Sequence, residues 1–138
     1  VVIIAIGFTY GVFVAPPDFT AARANKLALK DFLRLVRRHF QRVVFDVSAA
    51  WDPEEADEIA AESDALAVRD PLAAGLSKRN AAYYRLPGPA GHKSRYEDPA
   101  IERLAEIAAG DLDQSATYVF TNVDMFTDAK RFKRSIRL

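Results

Sequence analysis

The stretch Thr117 to Ile136, TYVFTNVDMFTDAKRFKRSI, decides the fold. Tyr118-Val119-Phe120 is a short apolar run that suits a buried strand. It stops at a polar step, Thr121-Asn122-Val123-Asp124, and an amphipathic helix follows from about Met125. A strand feeding directly into a helix is one half of a β/α unit. In proteins built of such units the C-terminal strand ends carry the ligands, because polar loops and helix N-termini converge there. Phe126 and Phe132 are expected to pack this helix on the core. Lys130, Arg131, Lys133, Arg134 and Arg137 make it basic toward its C-terminus, where the helix dipole favours cations.

Working outward, the same alternation recurs. Ala81 to Leu86 reads as a strand, and Pro87-Gly88-Pro89-Ala90-Gly91 must be irregular. Asp98-Pro99 opens a helix that buries Ile101, Leu104, Ala105 and Ala108 and ends at Gly110. Further upstream, Val43 to Val47 is a strand. Asp52-Pro53-Glu54-Glu55 is a helix start with an Asp cap, Pro at the first helical position and acid in the first turn; that helix runs to about Glu62. Ala65 to Val68 is a short strand ending at Arg69-Asp70-Pro71, and Pro71 to Asn80 has no clear period and reads as a loop. Tyr10 to Ala15 reads as a strand closed by Pro16-Pro17. A helix from about Ala22 to His39 follows, with Leu29, Phe32, Leu33, Val36 and Phe40 in one apolar stripe. The opening run Val1 to Ile6 is a core element, too short to span a bilayer.

Runs such as VVIIAI, VVF and YVF suit strands buried on both faces, hence a parallel sheet with crossover helices. The expected fold class is α/β, a single domain over residues 1–138 with a partial (β/α)8 TIM-barrel-like sheet. A whole barrel takes about 250 residues, so this chain would be part of one.

Nineteen basic and nineteen acidic residues cancel, which removes any whole-protein attraction to nucleic acid or an anionic membrane. With no cysteine, disulfides, thiolate metal sites and cysteine nucleophiles are excluded; a reducing, cytoplasmic location is expected. His39 and His92 lie far apart without metal-ligand spacing, so neither a metal nor a cofactor is expected.

Asp46, Asp70, Arg85 and Asn122 each fall at or near the C-terminal end of a predicted strand. Two carboxylates there are candidates for general acid and base. Arg85 and Asn122 are candidates for holding a small polar or anionic ligand. The alternative is a salt-bridge network closing the mouth of the sheet, with Asp70 a turn residue before Pro71. Trp51, just before the Asp52 cap, is placed to staple the start of its helix. The segment Gly88 to Ser94 departs from the phosphate-loop spacing and reads as a surface loop or a lid carrying His92, Lys93, Arg95 and Tyr96.

Four segments together resemble the domain-of-unknown-function-72, or YecE-like, (β/α) barrels over their C-terminal portion. They are Phe13-Val14-Ala15-Pro16-Pro17-Asp18-Phe19; Val44 to Trp51; Tyr83-Tyr84-Arg85-Leu86-Pro87-Gly88-Pro89 followed by Tyr96; and Tyr118 to Asn122 with Met125 through Lys133. The resemblance implies a barrel whose site uses Asp46, Arg85, Asn122, Trp51 and Tyr96, and whose N-terminal strands are absent here. The departures fall on polar site positions. Where the family has Glu and Arg this chain has Asp46 and Ser48; where it has His and Arg it has Pro87 and Pro89; Thr121 replaces the first Asn of a pair. Two functions follow as expectations. One is a ligand-binding domain with hydrolase-type acid/base chemistry through Asp46 or Asp70. The other is a non-catalytic domain that pairs with another copy, as a homo-oligomer, or with a missing half.

Overall fold

Among the described residues strand and helix alternate. In order the elements are β1 (Val2–Ala5), α1 (Lys26–Arg37), β2 (Val44–Phe45), α2 (Pro53–Glu62), β3 (Leu66–Arg69), α3 (Pro71–Ala74), β4 (Ala81–Leu86), α4 (Asp98–Ala108), β5 (Ser115–Phe120) and α5 (Met125–Ser135). The structure, a computed structural model, describes residues 2–5, 26–46 and 51–136. The predicted strand Tyr10 to Ala15, the Phe13 to Phe19 motif, Ser48 and Arg137 lie outside the described residues. The class is mixed α/β, with parallel strand pairs and helices between them. The described residues form two units, a smaller one from 26–46 and 51–68 and a larger one from 2–5 and 69–136.

In the smaller unit β2 pairs with β3 in parallel, Val44 opposite Leu66 and Phe45 opposite Ala67. Its core gathers Leu29 and Leu33 of α1, Phe45, and Ala56, Ile59 and Ala60 of α2. Phe40, placed by its period on the α1 stripe, lies beyond the helix end and is exposed. Helix α2 is closed at both ends. The Asp52 carboxylate accepts from Glu54 N at 3.0 Å and Glu55 N at 3.1 Å, as the sequence predicts. At the other end Ala65 N donates to Ala60 O and Asp64 N to Ala61 O, with Asp64 at φ 52°. That is a Schellman closure using Asp where Gly is usual. Arg37 of α1 pairs with Asp64 at 2.9 Å, and Lys30 with Glu62 at 2.5 Å. Lys30 holds the Glu62 carboxyl below its ordinary range.

In the larger unit β5 is flanked in parallel by β1 and β4, with Val2 opposite Thr117 and Ala81 opposite Ser115. Along β4 burial alternates: Ala82, Tyr84 and Leu86 are buried, while Ala81, Tyr83 and Arg85 are half-buried. The buried set shares a core with Ile101 and Leu104 of α4 and Phe132 of α5. Phe132 is the hub, its ring 4.9 Å from Tyr118 and 5.8 Å from Phe120. From Ala116 to Phe120 β5 is buried residue after residue, as expected of a parallel strand covered on both faces. The buried stripe of α5 is Met125, Asp128, Ala129, Phe132 and Ile136, with Met125 only partly buried. Phe126 falls about 100° off that stripe and is 62% exposed, against the expectation that it would pack inward.

Two local details also differ from expectation. Pro71 to Ala74 is a short helix rather than loop, because Asp70 caps it through Leu72 N at 2.9 Å and Pro71 is pre-set for a first turn. Helix α4 takes Glu97 as its N-cap, without a side-chain bond, which leaves Asp98 for another partner. At the opposite strand ends Gln114 is fully satisfied. Its Nε2 donates to Ser77 O at 2.9 Å and Arg79 O at 2.7 Å, and its Oε1 accepts from the Tyr84 hydroxyl at 2.6 Å. That end of β4 and β5 is thereby closed by structural hydrogen bonds, and the polar variety lies at the other end.

Candidate functional site

The C-terminal ends of β4 and β5 lead into two loops, Pro87 to Glu97 and Thr121 to Asp124. Asp70, Arg85, Tyr96 and Asn122 belong to this unit, while Asp46 and Trp51 belong to the smaller one.

Asp70 and Arg85 are both half-buried and sense each other's charge. Burial pushes the Asp70 carboxyl above its ordinary value. The Leu72 and Ala73 N–H groups and the Arg85 charge act in the opposite direction and do not cancel it. A carboxyl moved toward neutrality by desolvation, close to a cation at a strand end, has the environment of a proton-transfer group. Arg85 lies on the half-buried face of β4 with Tyr83, opposite in register to Val119. A guanidinium there presents a planar, permanently charged donor array suited to carboxylate or phosphate.

Tyr96 and Asn122 are brought together, and both are more deeply enclosed than a pocket-lining role requires. Tyr96 is 3% exposed and Asn122 0%. The Tyr96 hydroxyl accepts from Gly88 N at 2.8 Å, and its ring meets Phe120 edge-on at 6.2 Å. Burial pushes this phenol up to about 12, and the carboxylates of Asp70 and Asp128 add to the shift. Asn122 Nδ2 donates to Ser94 O at 3.2 Å and to Asp128 Oδ2 at 2.8 Å. Its Oδ1 is buried and finds no donor among the described residues. Turning the amide over would aim that oxygen at two acceptors, so the two Nδ2 bonds fix its orientation.

Asp128, which lies within the Met125 to Lys133 match but was given no role there, holds these groups. Its carboxylate is 1% exposed. It accepts from Asn122 Nδ2, from Tyr96 N at 3.3 Å and from Arg131 Nη1 at 2.6 Å. Arg131 also donates to Tyr96 O at 2.6 Å and pairs with Asp98 at the start of α4. Asp98, then Asp128, hold the guanidinium firmly protonated. The sequence does carry a signal for Asp128: it is an acid on the apolar stripe of α5, four residues before Phe132, and a charge at a core position must be paired.

The Pro87 to Glu97 loop is built tightly at its base and open at its tip. Gly88 sits at φ +99°, where an added Cβ would lie 2.4 Å from Gly91 O and 2.6 Å from Ser94 Oγ. Ser94 Oγ accepts from Ala90 N at 2.9 Å and donates to Gly91 O at 2.7 Å. His92, Lys93 and Arg95 are exposed. Arg95 reaches Asp124 at 3.8 Å, too exposed a pair to add much stability.

Comparison with protein-family models, with curated proteins and with solved structures finds no match. The chemistry therefore rests on the residues themselves.

In the smaller unit Asp46 follows β2 directly and is exposed. Trp51 is 7% exposed and stands edge-on to Phe45 at 5.7 Å. It immediately precedes the Asp52 cap and shares a core with Ala56, the fourth residue of α2. That is the position from which a hydrophobic residue staples the start of a helix. Among the described residues no group of three or more His, Asp or Glu side chains is placed to hold a metal ion. Among them, too, no helix is long and apolar enough to cross a membrane. A shallow cleft between α4 and α5, lined by Asp98, Glu102, Arg131 and Arg134 among others, has its charges balanced internally.

Proposed function

We propose that this chain binds a small polar or anionic ligand at the C-terminal strand ends, with Arg85 as the anion-holding group and Asp70 as the proton-transfer group. The observation that carries the reading is the half-buried Asp70 carboxyl, raised by desolvation while in electrostatic range of Arg85. The finer architecture belongs to the same proposal. A partial (β/α)8 barrel of the YecE-like kind puts one face of each strand on the helices and the other inside. The alternation along β4, with Tyr84 and Leu86 in the core shared with α4 and α5 and Tyr83 and Arg85 on the other face, supports it. Acid/base hydrolysis is the enzymatic form of the proposal. The expectation of a cytoplasmic protein is part of the same reading.

A second reading, a non-catalytic domain that assembles with another copy, is favoured by a specific observation. Asn122 and Tyr96, two of the expected ligand residues, are enclosed, with the Asn122 Nδ2 group and the Tyr96 hydroxyl oxygen engaged inside the fold. A thermal-shift screen with simple carboxylates, phosphates and sulfates separates the two. Under the ligand reading at least one anion raises the melting temperature in a concentration-dependent way, and Arg85→Ala abolishes the rise. No stabilising anion, or an undiminished shift in Arg85→Ala, refutes it.

A further inference from the structure

Asp128 is a buried charge that no expected role accounts for, and everything it touches leads to one loop. Through Tyr96 N it fixes the C-terminal end of the Pro87 to Tyr96 segment. Through Asn122, whose Nδ2 also donates to Ser94 O, it fixes the middle. Through Arg131, which donates to Tyr96 O, it holds the same residue from its carbonyl side. Tyr96 in turn uses its hydroxyl to hold Gly88 N at the loop's beginning. One carboxylate thus sets three points of a ten-residue return whose tip residues His92 and Lys93 are exposed. The loop leaves β4 two residues after Arg85, and the Tyr96 phenol lies within electrostatic range of Asp70 as well as Asp128.

We infer that Asp128 is a positioning residue for the strand-end face: it clamps the Pro87 to Tyr96 loop in one conformation through Tyr96 and Asn122, and so sets the wall beside Asp70 and Arg85. The geometry explains why a site loop rich in Pro and Gly needs a buried anion. Its own backbone bonds, Gly91 N to Gly88 O and Ser94 N to Gly91 O, close only local turns. They do not tie the loop to the rest of the unit; the bonds to Asp128 on α5 and to Asn122 just after β5 do. The cost of burying the carboxylate is offset by three donors, one of them charged. Asn122 bridges the two, giving one Nδ2 proton to Ser94 O of the loop and the other to Asp128. The statement about the wall rests on the Asp70 and Arg85 reading; the clamp itself is measured without any ligand.

The test is residue-resolved amide exchange, with limited trypsin digestion alongside. In the unmodified chain the Gly88 and Tyr96 amides and the Asn122 side-chain amide are expected to be protected, while His92 and Lys93 exchange freely. In Asp128→Asn the Gly88 and Tyr96 amides should exchange at least about tenfold faster, while Tyr84 and Tyr118 in the strands keep their rates. Trypsin should then cut after Lys93 at least about tenfold faster, with no matching rise after Arg103 inside α4. Tyr96→Phe, which removes one hydroxyl, should release Gly88 alone. Equal acceleration in loop and strands would show general destabilisation and overturn the inference. So would unchanged loop exchange in Asp128→Asn, or an unprotected Tyr96 amide in the unmodified chain. The last measurement decides the matter even if Asp128→Asn does not fold. A clamp that holds while the anion screen fails leaves Asp128 as loop architecture and removes only the ligand.

Discussion

Replacing Gly88 by Ala should be among the most damaging single-methyl changes this chain can suffer. Two separate effects add. Gly88 holds φ +99°, a region that residues with a Cβ rarely adopt; forcing one there costs about 1–3 kcal/mol. The new Cβ would also lie 2.4 Å from Gly91 O, a backbone atom, and 2.6 Å from Ser94 Oγ. Ser94 can rotate away only by giving up its bonds to Ala90 N and Gly91 O. Moving backbone to relieve an overpacked contact costs about 1–3 kcal/mol more. The total is about 4 kcal/mol, or roughly 10–15 °C in melting temperature for a chain of this size. Gly91→Ala is the matched control. Gly91 also has positive φ, at +87°, but an added Cβ would meet nothing within 4 Å. It should pay the backbone cost alone, so Gly88→Ala should melt about 5 °C or more below Gly91→Ala. Near-UV circular dichroism suits the assay, because Tyr83, Tyr84, Tyr96 and Tyr118 all lie in the larger unit. Equal melting temperatures for the two variants would refute the packing argument. A Gly88→Ala melt within about 2 °C of the parent would refute the backbone argument as well.

Two further expectations follow from burial. Phe132→Ala removes the 0%-exposed hub between Tyr118 and Phe120 and should cost about 3–5 kcal/mol in urea unfolding, whereas Phe126→Ala, at a 62%-exposed site, should stay within about 0.5 kcal/mol; similar losses in both would mean that the α5 stripe is misassigned. Asp70 gives a pH signature. Its folded-state pKa lies above the ordinary 3.8, so in the window just above that value the folded chain binds more protons than the unfolded one. Its contribution is therefore present at low pH and lost as pH rises through the raised value, and the stability of the parent relative to Asp70→Asn should fall across that window. A difference that rises with pH there would reverse the sign and place Asp70 in a stabilised, ionised state.

The sequence alone determined the order and kind of most described elements; α3, inside a stretch read as loop, is the exception. Asp52-Pro53 announced α2 to the residue, since a cap and a proline at the first helical position are local instructions. Ala81 to Leu86 announced β4 for the same reason: a short apolar run bounded by Pro and Gly has few alternatives. The strand-end face was legible too, because a parallel β/α order sends Arg85 and Asn122 to the same end of the sheet. What each residue does there was decided by tertiary structure. Burial turned Asn122 and Tyr96 inward, made Trp51 a staple beside Phe45, and left Phe126 in solvent. Asp128 shows the difference most clearly. Its place on the α5 stripe and its pairing with Arg131, three residues on, follow from a period of 3.6, but its bonds to Asn122 and Tyr96 are made only in the folded chain. Periodicity is a property of neighbours along the chain, whereas the partners of a buried charge are set by packing between elements far apart in it.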